Sequence, residues 1–488
     1  MAESAFDVIV VGGGVAGLTA AALAARSGLR PLVCEQAEVL GGVCAPVERN
    51  GYRFDGCVAV LSGLEQGGDA RTVLEAAGAT VEDLPLDPGF QAGLPRHRFG
   101  FYRRGERFWR EIRREFGAEE DAIRAFFEEV LALEDGLRRL DLAGADLPIR
   151  TAWGKLDRWF RRSKEEAALQ ERAGGPLASL ATWELLSEDA RGAFALVLRH
   201  LGPALVGAPV LLGAHILAQA RGGFQGLRGG SGALVIALTR ALERGGGSLR
   251  SKTRVVEILL RGRRVCGVRL ADGSVVEAPV VIGAAPPATL SGELLADGAR
   301  GLPEGSPPPQ SGRLTLYVGV DEAVLPSELA ATAFIALPDP LEPGGIDSLA
   351  LSVSPFWDGG RAPQGRRALT LDAMVRPTGL DAAAVDWMER ADGVLGALDH
   401  FIPGLRGRLD FCEVRTPVAW QELTGRPSGA TAYAPEAVPV FLGWQGFPHR
   451  TPLPWLFVAG DWTFPGSSMA AVLQGAQRTV DLLAGGRP

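Results

Sequence analysis

The chain is short of the side chains that carry out most protein-only chemistry. In 488 residues there are five histidines and five cysteines, and lysine occurs only at Lys155, Lys164 and Lys252. No Ser/His/Asp set, zinc-ligand spacing or paired-carboxylate motif stands out, so no metal site is expected. Cys34, Cys44, Cys57, Cys266 and Cys412 are scattered, odd in number and form no C-x-x-C pair. That excludes a disulfide scaffold and a zinc or dithiol motif, and the five read as reduced, mostly buried thiols of a cytoplasmic protein. A basic excess is also missing. The formal charge is −7, which gives no general attraction to a phosphate backbone, and no nucleic-acid partner is expected. Between Met1 and the apolar run at Phe6 there is no room for the charged, hydrophobic and cleavage regions of a secretion signal, and none is expected. The long uncharged stretch, residues 201–220, contains two prolines and three glycines. A membrane helix would not be broken so often, so it reads as a buried, interrupted helix lining an apolar tunnel. His215 lies on it, either facing substrate or satisfied in the core.

What is present begins with nucleotide chemistry. A chain of this length predicts two domains. Phe6 to Val11 is a short apolar run that ends in Gly12-Gly13-Gly14-Val15-Ala16-Gly17, and Leu18 to Ala25 is rich in helix formers. In a strand–turn–helix, Gly12 permits the turn, Gly14 lets a pyrophosphate approach the backbone and Gly17 lets the helix pack closely. The N–H groups around Val15 and Ala16 attract the phosphates. Pro31 to Cys34 is a second strand. It ends at Glu35, where a carboxylate can accept hydrogen bonds from ribose hydroxyls, with Gln36 beside it. Glu35 would repel a 2′-phosphate, yet NAD and FAD both remain open at this point.

The next elements narrow the choice. Gly41-Gly42 follows Glu35, and Gly51-Tyr52-Arg53-Phe54-Asp55 comes after it. Here the sequence resembles the FAD-containing amine oxidase and phytoene desaturase superfamily, which carries a second glycine pair and then a G-Y/F-x-F-D element. The resemblance implies FAD, with Gly41 and Gly42 at the cofactor. An Arg or Lys that often follows the pair in that family and neutralises the pyrophosphate is replaced here by Val43.

Arg228-Gly229-Gly230-Ser231-Gly232 opens a helix predicted to reach about Glu243. No strand run is seen leading into Gly229, which counts against a second dinucleotide site. Thr253 to Ile258, Arg264 to Leu270 and Ser274 to Val276 alternate as strands, with Asp272-Gly273 as a hairpin turn. Pro279 to Gly283 reads as a fully buried strand. This block resembles the family segment that returns to the FAD domain, and the resemblance implies that Val255 holds the adenine through its backbone.

Pro454 to Ala459 is one more apolar strand. It delivers Gly460-Asp461-Trp462-Thr463-Phe464-Pro465-Gly466, and a last helix starts at Met469-Ala470. Ligands of open α/β sheets bind at such strand ends. Asp461 can accept a hydrogen bond from a ribityl hydroxyl, and the helix N-terminus offers N–H groups to electron-rich flavin atoms. The order G-D-x-T-x-P-G is similar to carotenoid isomerases and desaturases, as are Phe54-Asp55-Gly56, Leu61-Ser62-Gly63-Leu64 and Leu74-Glu75-Ala76-Ala77-Gly78. The motif holds no Cys or His, so FAD is expected to be non-covalent.

The fold class expected is therefore α/β: a Rossmann-type FAD-binding domain, discontinuous in sequence, with an inserted α+β substrate domain. Residues 1–80, 224–290 and 451–488 are assigned to the first, and 81–223 and 291–450 to the second. Within the insert, Trp153, Leu156, Trp159 and Phe160 share a helical face interleaved with Lys155, Arg158, Arg161, Arg162 and Lys164. Residues 153–164 suit peripheral contact with the inner face of a membrane, and equally a surface helix packed on its own domain.

With so few protein nucleophiles and bases, the flavin is expected to carry the chemistry. The resemblance implies desaturation, cis–trans isomerisation or saturation of a carotenoid-like or other apolar polyene or isoprenoid. Oxygen or a quinone would accept electrons if the reaction is oxidative. Arg228 is placed where related sequences bring a basic residue toward the flavin, and equally suits a plain surface arginine, with Gln225 as a weaker candidate. Two other readings stand beside this: an amine oxidase-like enzyme on a smaller polar substrate, for which no lysine is well placed, and a binding protein that has lost the flavin, against which the intact Asp461 motif argues.

Overall fold

A computed structural model describes residues 5–57, 61–140, 163–173, 175–201, 209–295, 312–342, 345–376, 384–426, 429–430 and 446–485. Its organising element is a five-stranded parallel sheet in the order Leu456–Val458, Val280–Gly283, Val8–Val11, Pro31–Cys34 and Ser248–Arg250. The strands Val8–Val11, Pro31–Cys34 and Val280–Gly283 are buried at every residue, because helices or a second sheet cover both faces. Alternation sorts the side chains. Val8 and Val10 pack with the helices Val15–Arg26, Asp69–Ala77, Ser231–Arg244 and Met469–Gly485. Ile9 and Val11 pack on the other face, against the antiparallel meander Val255–Arg261, Arg264–Leu270 and Val275–Glu277.

The chain leaves this layer twice to build a second sheet of seven strands, in the order Leu409–Arg415, Gly312–Asp321, Arg366–Val375, Ile346–Val353, Thr332–Leu341, Phe90–Gly93 and Arg98–Phe101. It is antiparallel except where Thr332–Leu341 runs alongside Phe90–Gly93. One face buries Leu314, Leu316, Leu349, Leu351, Leu369 and Leu371 beneath the helix Trp387–Phe401. Phe334 and Ala350 belong to a separate core, with Phe90, Phe99 and Phe101 and the helices Gly105–Phe116, Glu120–Arg138, Glu188–Leu201 and Val210–Gly222. The fold is the α/β one expected, a discontinuous nucleotide-binding layer with an inserted α+β part.

One expectation requires correction. A strand does lead into Gly229: Gln225–Leu227 pairs antiparallel with Asp83–Pro85 in a two-stranded ladder. A second dinucleotide site is still unsupported, because this ladder lies outside the parallel sheet and the helix start behind it is already filled. The Ser231 N–H donates to Asp55 Oδ1 at 2.6 Å, so a carboxylate occupies the position a phosphate would need. The edge strand Ser248–Arg250, just after the glycine run that stops this helix, had no recognisable pattern in the sequence.

The uncharged stretch at 201–220 divides as its prolines and glycines suggest. One helix ends at Leu201 and the next starts at Val210 after Pro209, while residues 202–208 lie outside the described residues. The basic aromatic stretch lies outside them too, apart from Ser163 and Lys164. No helix among the described residues is long and apolar enough to cross a membrane.

Candidate cofactor and substrate site

The three spaced glycines of the first turn are required for three different reasons. Gly12 has φ +110°, which an L side chain rarely adopts. A Cβ on Gly17 would stand 2.0 Å from the Gly12 carbonyl oxygen, so helix and strand approach only with glycine there. A Cβ on Gly14 would meet no protein atom within 4 Å. Gly14 lines a cavity, and no side chain caps the helix it opens, leaving the first N–H groups directed to a ligand. Glu35 is held against this turn: its Oε2 accepts from the Gly13 N–H at 2.6 Å and its Oε1 from the Ala37 N–H at 2.8 Å.

The cavity, of about 640 Å³, is bordered at one end by Gly12, Gly14, Val15, Ala16, Glu35 and Gln36, and then by Gly41, Gly42 and Val255. Gly41 and Gly42 both take positive φ, 114° and 59°. From the opposite end of the chain come Gly460, Asp461, Met469 and Ala470. Of the residues expected at the cofactor, Gly17 alone packs behind the wall without lining it.

Asp461 sits in a tightly braced loop. The Thr463 hydroxyl donates to the Gly460 carbonyl at 2.7 Å, and the Trp462 side chain is buried beneath. Behind it the His449 ring spans the loop, with Nε2 2.7 Å from the Phe464 carbonyl and Nδ1 3.0 Å from the Thr479 hydroxyl of the last helix. Burial holds the His449 imidazole down to about 4, so it is neutral at ordinary pH. Ser468 caps that helix by accepting from the Ala471 N–H at 3.1 Å.

The carboxylate of Asp461 is engaged by Arg426, with Nη1 2.7 Å from Oδ2 and Nη2 2.8 Å from Oδ1. Arg426 follows Gly425, which ends the helix Pro417–Thr424 with φ +68°. An arginine of the inserted part thus stands in the cofactor end of the cavity, which has Val43 where related sequences often carry a base.

Away from the nucleotide end the wall carries Leu137, Leu201, Leu212, Ile216 and Phe224, which belong to the core of the inserted part. It carries a few polar groups. Glu134, 5% exposed, meets His215 Nδ1 at 2.9 Å and Arg138 Nε at 2.8 Å. Burial opposes the Glu134 charge, but the hydrogen bonds from His215 and Arg138 and the Arg138 charge outweigh it and hold the carboxyl below its usual range. His215 therefore faces the cavity wall and also has a partner. His200 and Arg313 also line the cavity.

Arg228 and Gln225 lie elsewhere. Arg228 pairs with Glu82 at 2.7 Å and donates to the Trp357 carbonyl at 2.8 Å, at the surface. Gln225 is buried, with its Nε2 3.5 Å from Glu65 Oε2. Neither lines the cavity, and among the described residues no lysine does; Lys252 pairs with Glu38 in solvent. Asp55 is a structural hub: besides capping Ser231 it receives Arg361 Nη2 at 2.9 Å, both side chains being nearly inaccessible.

These residues fit FAD. Gly14 leaves open space where a backbone approach is needed, two helix starts line the cavity, and Glu35 and Asp461 present carboxylates where ribose and ribityl hydroxyls would be read. Comparison with known proteins agrees. Residues 15–484 match the family described as flavin containing amine oxidoreductase. The chain is 27% identical to the chloroplastic prolycopene isomerase of Arabidopsis thaliana over 96% of its own length and 81% of that protein's. It is 26% identical to the hydroxyneurosporene desaturase of Cereibacter sphaeroides over 98% and 97%. In structure it resembles an oxidoreductase from Methanosarcina mazei, with a TM-score of 0.66 and 16% identity over 97% and 100% of the two chains. The chain belongs to the flavin containing amine oxidoreductase family, and it is an FAD-dependent oxidoreductase.

Proposed function

We propose that the enzyme acts on carbon–carbon bonds of a carotenoid-like or other apolar polyene or isoprenoid, by desaturation, cis–trans isomerisation or saturation. The observation that carries this reading is the continuity of one cavity from Gly14, Glu35 and Asp461 into a wall of Leu137, Leu201, Leu212 and Ile216. The relatives that act on prolycopene and hydroxyneurosporene support it. Bound FAD supplies hydride exchange at flavin N5. Gly12, Gly14, Val15, Ala16, Gly17, Glu35, Gln36, Gly41, Gly42, Val255, Gly460, Asp461, Met469 and Ala470 would form the cofactor site. The apolar residues exclude water and orient the chain of the substrate. His215 Nδ1 and Glu134 Oε2, 2.9 Å apart, can hold a proton between them at the wall.

FAD is held without a covalent bond in this reading. Burial pushes the Cys34 thiol up to about 11, and the Cys44 hydrogen bond together with burial raises that of Cys57, which leaves both as poor nucleophiles. Oxygen or a quinone takes the electrons if the reaction is oxidative. The enzyme works in the cytoplasm, with residues 153–164 as its point of contact with the inner face of the membrane.

The test is anaerobic, in the dark, with FAD-loaded protein and a cis-carotenoid. Conversion with pre-reduced flavin and no acceptor identifies isomerisation. A requirement for oxygen or quinone identifies desaturation, and stoichiometric flavin oxidation identifies saturation. A protein whose flavin spectrum and products respond to primary amines but to no polyene or isoprenoid overturns the proposal.

A further inference from the structure

Arg313 and His200 line the cavity, and His200 in full and Arg313 in part lack hydrogen-bond partners. Arg313 lies on the strand Gly312–Asp321, its side chain 14% exposed, and its ion pair with Asp372 Oδ2 is at 3.6 Å, beyond hydrogen-bonding distance. Its Nε has no partner. Asp372 is already served by the Thr315 hydroxyl at Oδ1. His200 stacks on Phe334 with ring centroids 5.0 Å apart, and both its ring nitrogens are buried without a partner. Such groups are normally paired, and where they are not, a ligand is one explanation the surroundings can test.

The sheet register places these groups on one wall. Thr315 stands opposite Asp372, Asp372 opposite Ala350, and Ala350 opposite Phe334. Arg313, two residues from Thr315 on the same strand, projects to the same face. The row therefore runs from Arg313 and Asp372 across the small Ala350 to Phe334, with His200 stacked upon it. Burial and then the Arg313 charge hold the His200 imidazole down to about 3, so it stays neutral, with one N–H to donate and one nitrogen to accept.

We propose that Arg313, aided by His200, reads an oxygen-bearing end group, a carboxylate above all, on an otherwise apolar substrate. A guanidinium whose one counter-charge stands beyond hydrogen-bonding distance, at an apolar wall, favours an acceptor on the ligand, because an apolar end leaves its donors unmet. This rests on the polyene or isoprenoid reading and refines it from a hydrocarbon to an isoprenoid acid, with the alcohol as a weaker ligand.

A matched series of C15 isoprenoids tests it: farnesoic acid, farnesol and farnesene, titrated into FAD-loaded protein and followed by the flavin absorbance. The acid should bind at least about tenfold tighter than the hydrocarbon, the alcohol falling between. Arg313→Gln should weaken the acid about tenfold and leave farnesene unchanged, while Arg313→Lys retains part of the preference. His200→Phe keeps the stack on Phe334 and should lower the acid's advantage by a smaller factor. It serves as the deciding variant if Arg313→Gln fails to load flavin. Equal affinity for acid and hydrocarbon, or an equal loss of both in the variants, overturns the end-group proposal alone. If none of the three binds while a cis-carotenoid still perturbs the flavin, the end-group proposal falls alone; if no polyene or isoprenoid binds, the apolar-substrate reading falls, and this proposal with it.

Discussion

Arg426 grips Asp461 through two parallel contacts, 2.7 and 2.8 Å long, although the residues come from the inserted part and the cofactor part of the chain. A bidentate guanidinium–carboxylate pair is among the stronger side-chain interactions, and here it engages the carboxylate proposed to meet the ribityl chain. Arg426→Leu is therefore expected to lower the stability of the flavin-free protein by about 2 kcal/mol in urea unfolding, and to lower that of the FAD-loaded protein by less. Asp461→Asn should weaken FAD binding about tenfold, roughly the 1.4 kcal/mol of one lost charged acceptor. Unchanged FAD affinity in Asp461→Asn would remove Asp461 from the site.

The first glycine turn offers a comparison between two alanine substitutions three residues apart. Gly14→Ala adds a methyl group that meets no protein atom, so thermal stability without flavin should hold while FAD affinity falls. Gly17→Ala drives a methyl group against the Gly12 carbonyl and should destabilise the protein itself by about 2 kcal/mol or more. Equal loss of stability in both would contradict a ligand-facing Gly14.

His449 makes stability depend on pH. In the unfolded chain its imidazole titrates near the ordinary 6.5, and in the fold burial holds it to about 4. The unfolded state thus binds the proton first, so the stability present above pH 6.5 is lost as pH falls toward 4, by up to about 3 kcal/mol. His200, held to about 3, acts in the same direction. Denaturant midpoints measured from pH 7.5 to 4 should fall steadily, and His449→Gln should flatten part of that slope. A midpoint independent of pH in the parent protein would exclude this role.

Asp55 anchors the cofactor layer to the insert without lining the cavity. Asp55→Asn removes the counter-charge of buried Arg361 and weakens the cap at Ser231, with an expected cost of about 3 kcal/mol. Pairing it with Arg361→Leu should recover part of the loss, which a double-mutant cycle would detect.

The nucleotide half of the molecule was legible because its residues act locally. Gly12, Gly14, Gly17 and Glu35 lie within one strand–turn–helix–strand, and Asp461 lies at the end of an apolar strand. Their geometry follows from spacing alone. The polar groups of the other half were not legible, since Glu134 meets His215 across 81 residues and Arg313 meets Asp372 only through strand pairing. Thr416-Pro417 and Gly425 mark the start and stop of a helix, so the element carrying Arg426 has a sequence signature. Its partner does not. For Arg228 the resemblance to related sequences suggested a place near the flavin and the residue alone a place at the surface, and Glu82 and the Trp357 carbonyl hold it at the surface.

The strand Leu456–Val458 lies beside Val280–Gly283, which in turn lies beside Val8–Val11. A nascent chain therefore emerges from the ribosome with the glycine turn, Glu35 and Val255 long before Asp461 and the final helix exist. Until those last residues arrive Val280–Gly283 is the uncovered edge of the sheet and the proposed flavin site lacks its Asp461 end. On that reading cofactor capture is a closing event of synthesis, and a ribosome stalled before residue 456 would hold a chain whose Val280–Gly283 strand has lost its outer partner.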